Sequence, residues 1–195
     1  MTSPLRQKRR LETAREIQKA TLELAMKDRL EDITTEEIAL AAGVSTRTFF
    51  NYYPNKEAAA IGLPPPFSQE DKEALQHGSG ALSADIKQFL DKHMEVLARD
   101  EAILRIVGSI LRSNEKARGI LAGFLAGERE SLTDALSYRV EDPQSAATLA
   151  SHATDAIGRA IHLWEQEENL PLAAALDIVW QGLIDASRLL LLPAD

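Results

Sequence analysis

Apolar residues recur along this chain at three- and four-residue intervals, and no stretch sustains an apolar–polar alternation. The pattern therefore predicts helices throughout, an all-α fold. A first helix over about 9–28 gathers Leu11, Ala14, Ile17, Thr21, Leu24 and Ala25 on one face. Residues 34–56, TTEEIALAAGVSTRTFFNYYPNK, then read as two short helices and the start of another. Thr34 or Thr35 can cap the first of these, and Glu36 and Glu37 stand where the helix dipole favours carboxylates. Ile38, Ala39 and Ala42 give it a small apolar face, and Gly43 supplies the left-handed residue that ends it. Val44 is a plug, and Ser45 caps the next helix, which opens Thr46, Arg47, Thr48. Such a corner is a helix-turn-helix, whose second helix offers its N-terminal side chains to base edges in the major groove.

Helix–glycine–helix corners also occur in all-α proteins with no nucleic-acid role, so the residues after the corner matter more. Phe49 and Tyr53 are four apart and can share the buried side. Thr46, Arg47, Thr48, Phe50, Asn51 and Tyr52 are left outside, a set without a carboxylate in a chain of net charge −8. Pro54 ends the helix, and Lys56 opens the next one. Free amides, the positive end of a helix and an ammonium then coincide, which suits a phosphate.

These residues carry a specific resemblance. Thr34 or Thr35, Ile38, Ala39, Ala42, Gly43, Val44, Ser45, Thr48, Phe49, Phe50, Tyr52, Tyr53, Asn55, Lys56 and Glu57 stand in the pattern of the DNA-binding domain of the TetR family of transcriptional repressors. The resemblance covers residues 9 to about 60. It implies that Thr35, Tyr52 and Lys56 hold phosphates, that Thr48 and Phe50 approach the backbone or a thymine methyl, and that Thr46 and Arg47 face bases. Ser45 and Asn51 complete the candidate DNA-binding set. Three positions depart from the family pattern: Arg29 stands at a usual glycine, Leu30 at a usual aromatic and Ala25 at a usual phenylalanine.

Charge distribution changes the picture next. Residues 1–56 hold 10 Lys/Arg against 8 Asp/Glu, a balance of +2, while the rest holds 12 against 22, a balance of −10. Arg6, Lys8, Arg9 and Arg10 form a run that could be a solubilising tail. Directly before a helix-turn-helix it is expected to reach a phosphate or the minor groove. Cysteine is absent, which excludes disulfides and thiolate metal sites. No apolar core follows the basic start as in a signal peptide, and no apolar run is long enough to span a membrane. A cytoplasmic protein with no membrane partner is expected.

The fourth helix begins near Asn55 but meets Gly62 and Pro64, Pro65 and Pro66, so residues 63–80 read as a loop or linker. The expected organisation is a three-helix helix-turn-helix domain over 1–62, the linker, and a helical ligand-binding and dimerisation domain over 81–195. Ser83 can cap a body helix to about Arg99, another follows to Arg112, and Asn114 opens one that carries Gly119, Gly123 and Gly127. That glycine spacing is expected to let a neighbouring backbone pack closely. Asp142 and Pro143 start a long helix to about Glu168, and a last helix spans about 171–192 with Leu172, Leu176, Val179, Trp180, Leu183 and Leu190 in a stripe. Two such helices can complete a core, or can pair with those of a second subunit in a four-helix interface, the arrangement usual in the resembled family.

Catalytic constellations are missing from the sequence. His77, His93, His152 and His162 make no metal set, and there is no P-loop, GxSxG or dinucleotide fingerprint; neither an enzyme, a metal nor a cofactor is expected. In proteins of the resembled family a body cavity accepts a small molecule. The candidate wall here is Phe89, His93, Met94, Leu97, Leu104, Val107, Leu111, Phe124 and Trp164, each equally suited to an ordinary core. The expectation is a ligand-responsive repressor that binds double-stranded DNA at a palindromic operator as a homodimer through its last two helices, with an apolar or amphipathic small-molecule effector. The rival is a helical protein–protein interaction module that has lost DNA binding, which the shortened fourth helix and the acidic body leave open.

Overall fold

In the computed structural model, residues 4–191 are described, with side chains from Arg6 onward, and among them there is no strand. The chain divides into two compact units, one formed by residues up to Pro64 with Glu101–Phe124, the other by Pro65–Asp100 with Leu125 onward.

The first unit contains α1 (Pro4–Ala25), α2 (Thr35–Ala41), α3 (Thr46–Tyr52), α4 (Lys56–Ile61) and, from further along, α7 (Glu101–Ser113). It also takes α8 (Glu115–Leu136) as far as Phe124. Its core is built on Ile17, Leu22, Ile38, Phe49, Tyr53 and the Ala59–Ala60 pair, with Ile110 and Ala117 buried in the same cluster. α1 starts several residues before the expected position 9, so Arg6, Lys8, Arg9 and Arg10 are helical and exposed rather than a tail. It ends at Ala25 instead of near 28. The amide of Lys27 tightens onto the Leu24 carbonyl at 2.9 Å, and Leu30 and Ile33 turn back into the core. No non-glycine residue among those described has positive φ, so this end needs no left-handed residue and Arg29 fits there without strain.

The second unit holds α5 (Gln69–His77), α6 (Leu82–Leu97), a 3-10 turn (Ala98–Asp100), the remainder of α8, α9 (Pro143–Gln166) and α10 (Leu172–Leu189). α5 falls inside the segment expected to be a loop. α4 does stop short, at Gly62 ahead of the three prolines, but beyond them the Ser68 hydroxyl caps a fresh helix with Glu70 and Asp71 in its first turn. Leu75 anchors that helix by burial. Arg139 fixes its far end, donating to the Leu75 and Gly80 carbonyls and pairing with Asp85 of α6 at 2.6 Å. α6 starts at Leu82 behind Ala81, without the expected Ser83 cap. α9 begins as read, with the Asp142 carboxylate accepting from the Ser145 amide at 2.7 Å and Pro143 in the first turn.

α9 and α10 pack on each other, and both touch α6. Leu172 and Leu176 of the α10 stripe are buried, Val179, Trp180 and Leu183 are half-buried, and Leu190 is exposed beyond the helix end. The expected close packing at Gly119, Gly123 and Gly127 is not found. All three are exposed, and a Cβ built on any of them meets nothing within 4 Å, because α8 turns its Ala117, Leu132 and Leu136 inward instead. No helix among the described residues is long and apolar enough to cross a membrane.

Candidate nucleic-acid interface

The corner between α2 and α3 is closed by local chemistry. Gly43 takes φ 67°, a left-handed value that only glycine adopts freely, and the Val44 amide then reaches back to the Ala39 carbonyl at 2.9 Å. Ser45 caps α3, its hydroxyl accepting from the Thr48 amide at 3.0 Å and sharing a hydrogen with the Thr48 hydroxyl at 2.8 Å. The inward side of α3 is Phe49, fully buried, with Tyr53 just beyond the helix. The Tyr53 hydroxyl donates to the Ala14 carbonyl at 3.1 Å, and burial pushes its pKa up to about 12, so it stays a donor.

With that side fixed, Arg47, Phe50 and Asn51 are exposed and Thr46, Thr48 and Tyr52 half-buried; no acidic residue lies on the helix. Phe50 stays half in solvent while its ring meets the edge of Phe49, centroids 5.3 Å apart. The guanidinium of Arg10 lies over the Tyr52 ring, 5.7 Å from its centroid. That contact puts the basic start of α1 beside α3, with Arg6 one turn further along the same face.

The flanking positions form a second group. Thr34, rather than Thr35, caps α2. Its amide donates to Glu37 at 2.7 Å while its hydroxyl accepts from the Glu37 amide at 3.2 Å, a reciprocal box. The Thr34 amide and hydroxyl hold the Glu37 carboxyl below its ordinary range. Thr35 is half-buried, and its hydroxyl donates to Glu36 at 3.1 Å. Lys56 at the start of α4 donates from Nζ to the carbonyls of Glu31 at 2.6 Å and Ile33 at 2.7 Å. Two of its three N–H groups are thereby used in fastening the loop before α2, and the third is left to point elsewhere. No local spacing signals this role, since the carbonyls lie more than twenty residues upstream.

Residues considered for a body pocket are distributed over both units. Phe89, His93, Met94, Leu97 and Trp164 belong to the second; Leu104, Val107, Leu111 and Phe124 belong to the first, where Val107 and Leu111 pack against the helix-turn-helix core. Phe67 of the second unit, not singled out from the sequence, is buried with its ring 4.9 Å from Phe89 and 4.8 Å from His93, and its amide donates to Glu128 at 2.6 Å. A small cavity of about 50 Å³ between α5 and α6 is lined by Phe89 from the nine, together with Asp71, Asp85 and Lys92. An open groove of about 810 Å³ along α9 and α10 is lined by Arg159, His162, Leu163, Ile178 and Val179 among others, and by none of the nine. No group of three or more His, Asp or Glu among the described residues is placed to hold a metal ion.

Burial pushes the His93 imidazole down to about 4 from 6.5, with Asp71 opposing the shift. The folded protein therefore keeps this histidine neutral where an unfolded chain would protonate it. The stability it supports is present above about pH 6.5 and is lost as pH falls towards 4. A thermal midpoint measured from pH 7 to 5 is expected to fall, and to fall less in His93→Gln, which has nothing to titrate there.

An all-helical chain that displays an acid-free, capped second helix beside a basic one has the build of a helix-turn-helix domain. Residues 17–59 match the family model for bacterial regulatory proteins of the tetR family. The fold is similar to the fatty acid degradation regulator FadR of Bacillus halodurans, with 21% identity, 85% of this chain and 95% of that one covered, and a TM-score of 0.53. FadR of Thermus thermophilus, a TetR-family transcriptional repressor solved with lauroyl-CoA, is similar at 21% identity over 88% and 93% of the two chains, TM-score 0.53. No curated protein sequence matches. The members of the family are transcription factors and not enzymes.

Proposed function

We propose that the protein is a homodimeric, effector-responsive transcriptional repressor acting in the cytoplasm on a palindromic operator. The observation that carries this reading is the outward face of α3, where Arg47, Phe50 and Asn51 are exposed with no carboxylate on the helix and Arg10 stands alongside. Thr46 and Arg47 read bases; Ser45, Thr48, Phe50, Asn51 and Tyr52 seat the helix against backbone and methyl groups; Thr35 and Lys56 hold phosphates at the starts of α2 and α4. Reading belongs to residues 1–62, and effector binding and pairing to 81–195.

A second copy is proposed to pair along α9 and α10, where Ile178 is exposed on α10 and the open groove runs. Two reading helices related by a twofold axis then meet two half-sites. The effector is an apolar or amphipathic molecule that favours a conformation with displaced reading helices. Its influence on operator affinity is a coupling energy, typically about 1–3 kcal/mol. Lauroyl-CoA, bound by the Thermus FadR, has that amphipathic character, and acyl-CoA esters are a suitable first series for thermal-shift titration.

Two substitutions test the division of labour. Lys56→Ala is expected to weaken every duplex alike and to reduce the salt slope of binding by about 1. Arg47→Ala is expected to cost about 1–3 kcal/mol on the preferred sequence and to relax selection at the bases it faces. If sequences selected from a random pool by Arg47→Ala matched those of the parent protein, the base-reading assignment would be wrong.

A further inference from the structure

A polar cluster in the first unit joins the corner between α7 and α8 to the segment that carries the proposed phosphate contacts. Asn114, itself buried, caps α8 by accepting from the Ala117 amide through Oδ1 at 2.8 Å. Its other end, Nδ2, donates to the Glu31 carboxylate at 2.7 Å. Glu31 is the residue whose backbone carbonyl accepts from Lys56, and Ile33, the second Lys56 acceptor, directly precedes the α2 cap Thr34. Two residues further on, Lys116 of α8 pairs at 2.9 Å with Glu57, the buried neighbour of Lys56. The side chains at the start of α8 thus hold both ends of the Lys56 attachment.

We infer that Asn114 is a positioning residue for DNA binding, setting the 31–33 loop and through it the ammonium of Lys56 and the start of α2. This role rests on the proposed DNA-binding reading. Its basis is geometric: an amide has one acceptor and one donor end, and here each end is committed to a different element. The helix cap alone would be served as well by aspartate, which is favoured at a helix N-terminus. The donor end would not, because aspartate would set a carboxylate against that of Glu31. Asn114 is therefore suited to its place by what it does to Glu31.

That asymmetry supplies the test. Asn114→Asp keeps the α8 cap and replaces the bond to Glu31 by repulsion; affinity for a random-sequence duplex at low salt is expected to fall about tenfold, the scale of coupling between contacting residues. Adding Glu31→Gln reverses the polarity of the pair, amide donor now on residue 31 and acceptor on residue 114, and is expected to restore affinity to within about twofold. Glu31→Ala removes the bond from the exposed side, together with the Arg29–Glu31 pair at 3.5 Å, and leaves the α8 cap in place; it is expected to weaken binding by about threefold while circular dichroism shows the protein fully folded at the assay temperature. Parent-like affinity in Asn114→Asp and Glu31→Ala, or a loss that Glu31→Gln does not repair, overturns the positioning role. If the parent protein itself binds no duplex, the DNA-binding reading fails first, and that result is distinct from either.

Discussion

Phe49→Ala is expected to abolish DNA binding and to lower the stability of the first unit by about 3–5 kcal/mol, the range for emptying a buried aromatic site. Phe49 is fully buried and lies among Ile17, Ile38, Tyr53 and the alanines of α4. It is the sole wholly buried residue of α3, so the seven-residue helix has little else to keep it seated. A helix this short has no stability of its own in water and depends on such an anchor. The ring also supports Phe50 from beneath, so its loss frees a side chain of the proposed interface. Chemical denaturation and duplex binding measured on the same sample check both halves. Retained binding with lowered stability would show that the face of α3 does not depend on this anchor.

Gly62→Ala is expected to cost about 2–4 kcal/mol, summed from a strained backbone of about 1–3 and lost hydrogen bonds of about 1. Gly62 ends α4 at φ 73° and ψ −143°, a region that residues with a Cβ avoid. A Cβ there would also overlap the Gln18 amide. That amide is not free to move without consequence, since Nε2 donates to the Ile61 carbonyl at 3.0 Å and more weakly to Ala60 at 3.4 Å, satisfying the open end of α4. In the double variant Gln18→Ala with Gly62→Ala, the overlap disappears and only the backbone strain and lost caps remain. Its cost is expected to be less than the sum of the two single changes. Additive costs in a denaturation cycle would mean that the two residues do not meet.

Local chemistry explains which features were readable in the sequence. Ser45, Asn55 and Asp142 cap their helices within three residues of themselves, so a short window contains the whole interaction. Phe49 and Tyr53 follow from helical spacing in the same way. α5 was hidden because three prolines dominate their window, although the cap at Ser68 and the acids after it are ordinary start signals. Lys56, Gln18 and Asn114 act through partners 23 to 83 residues away, which no periodicity encodes. For α7, helical spacing puts Val107 and Leu111 on one face but does not say which neighbour that face meets; both lie against the helix-turn-helix core.

The central claim, that this protein grips DNA, is tested most directly by a salt titration of binding to duplex by the intact protein. Contact between cationic side chains and phosphates releases counterions, so the logarithm of affinity should fall against the logarithm of salt with a slope of about −0.9 for each phosphate neutralised. A slope of several units is the predicted result. A flat line, or no binding at low salt, would contradict the regulator reading and favour a helical interaction module.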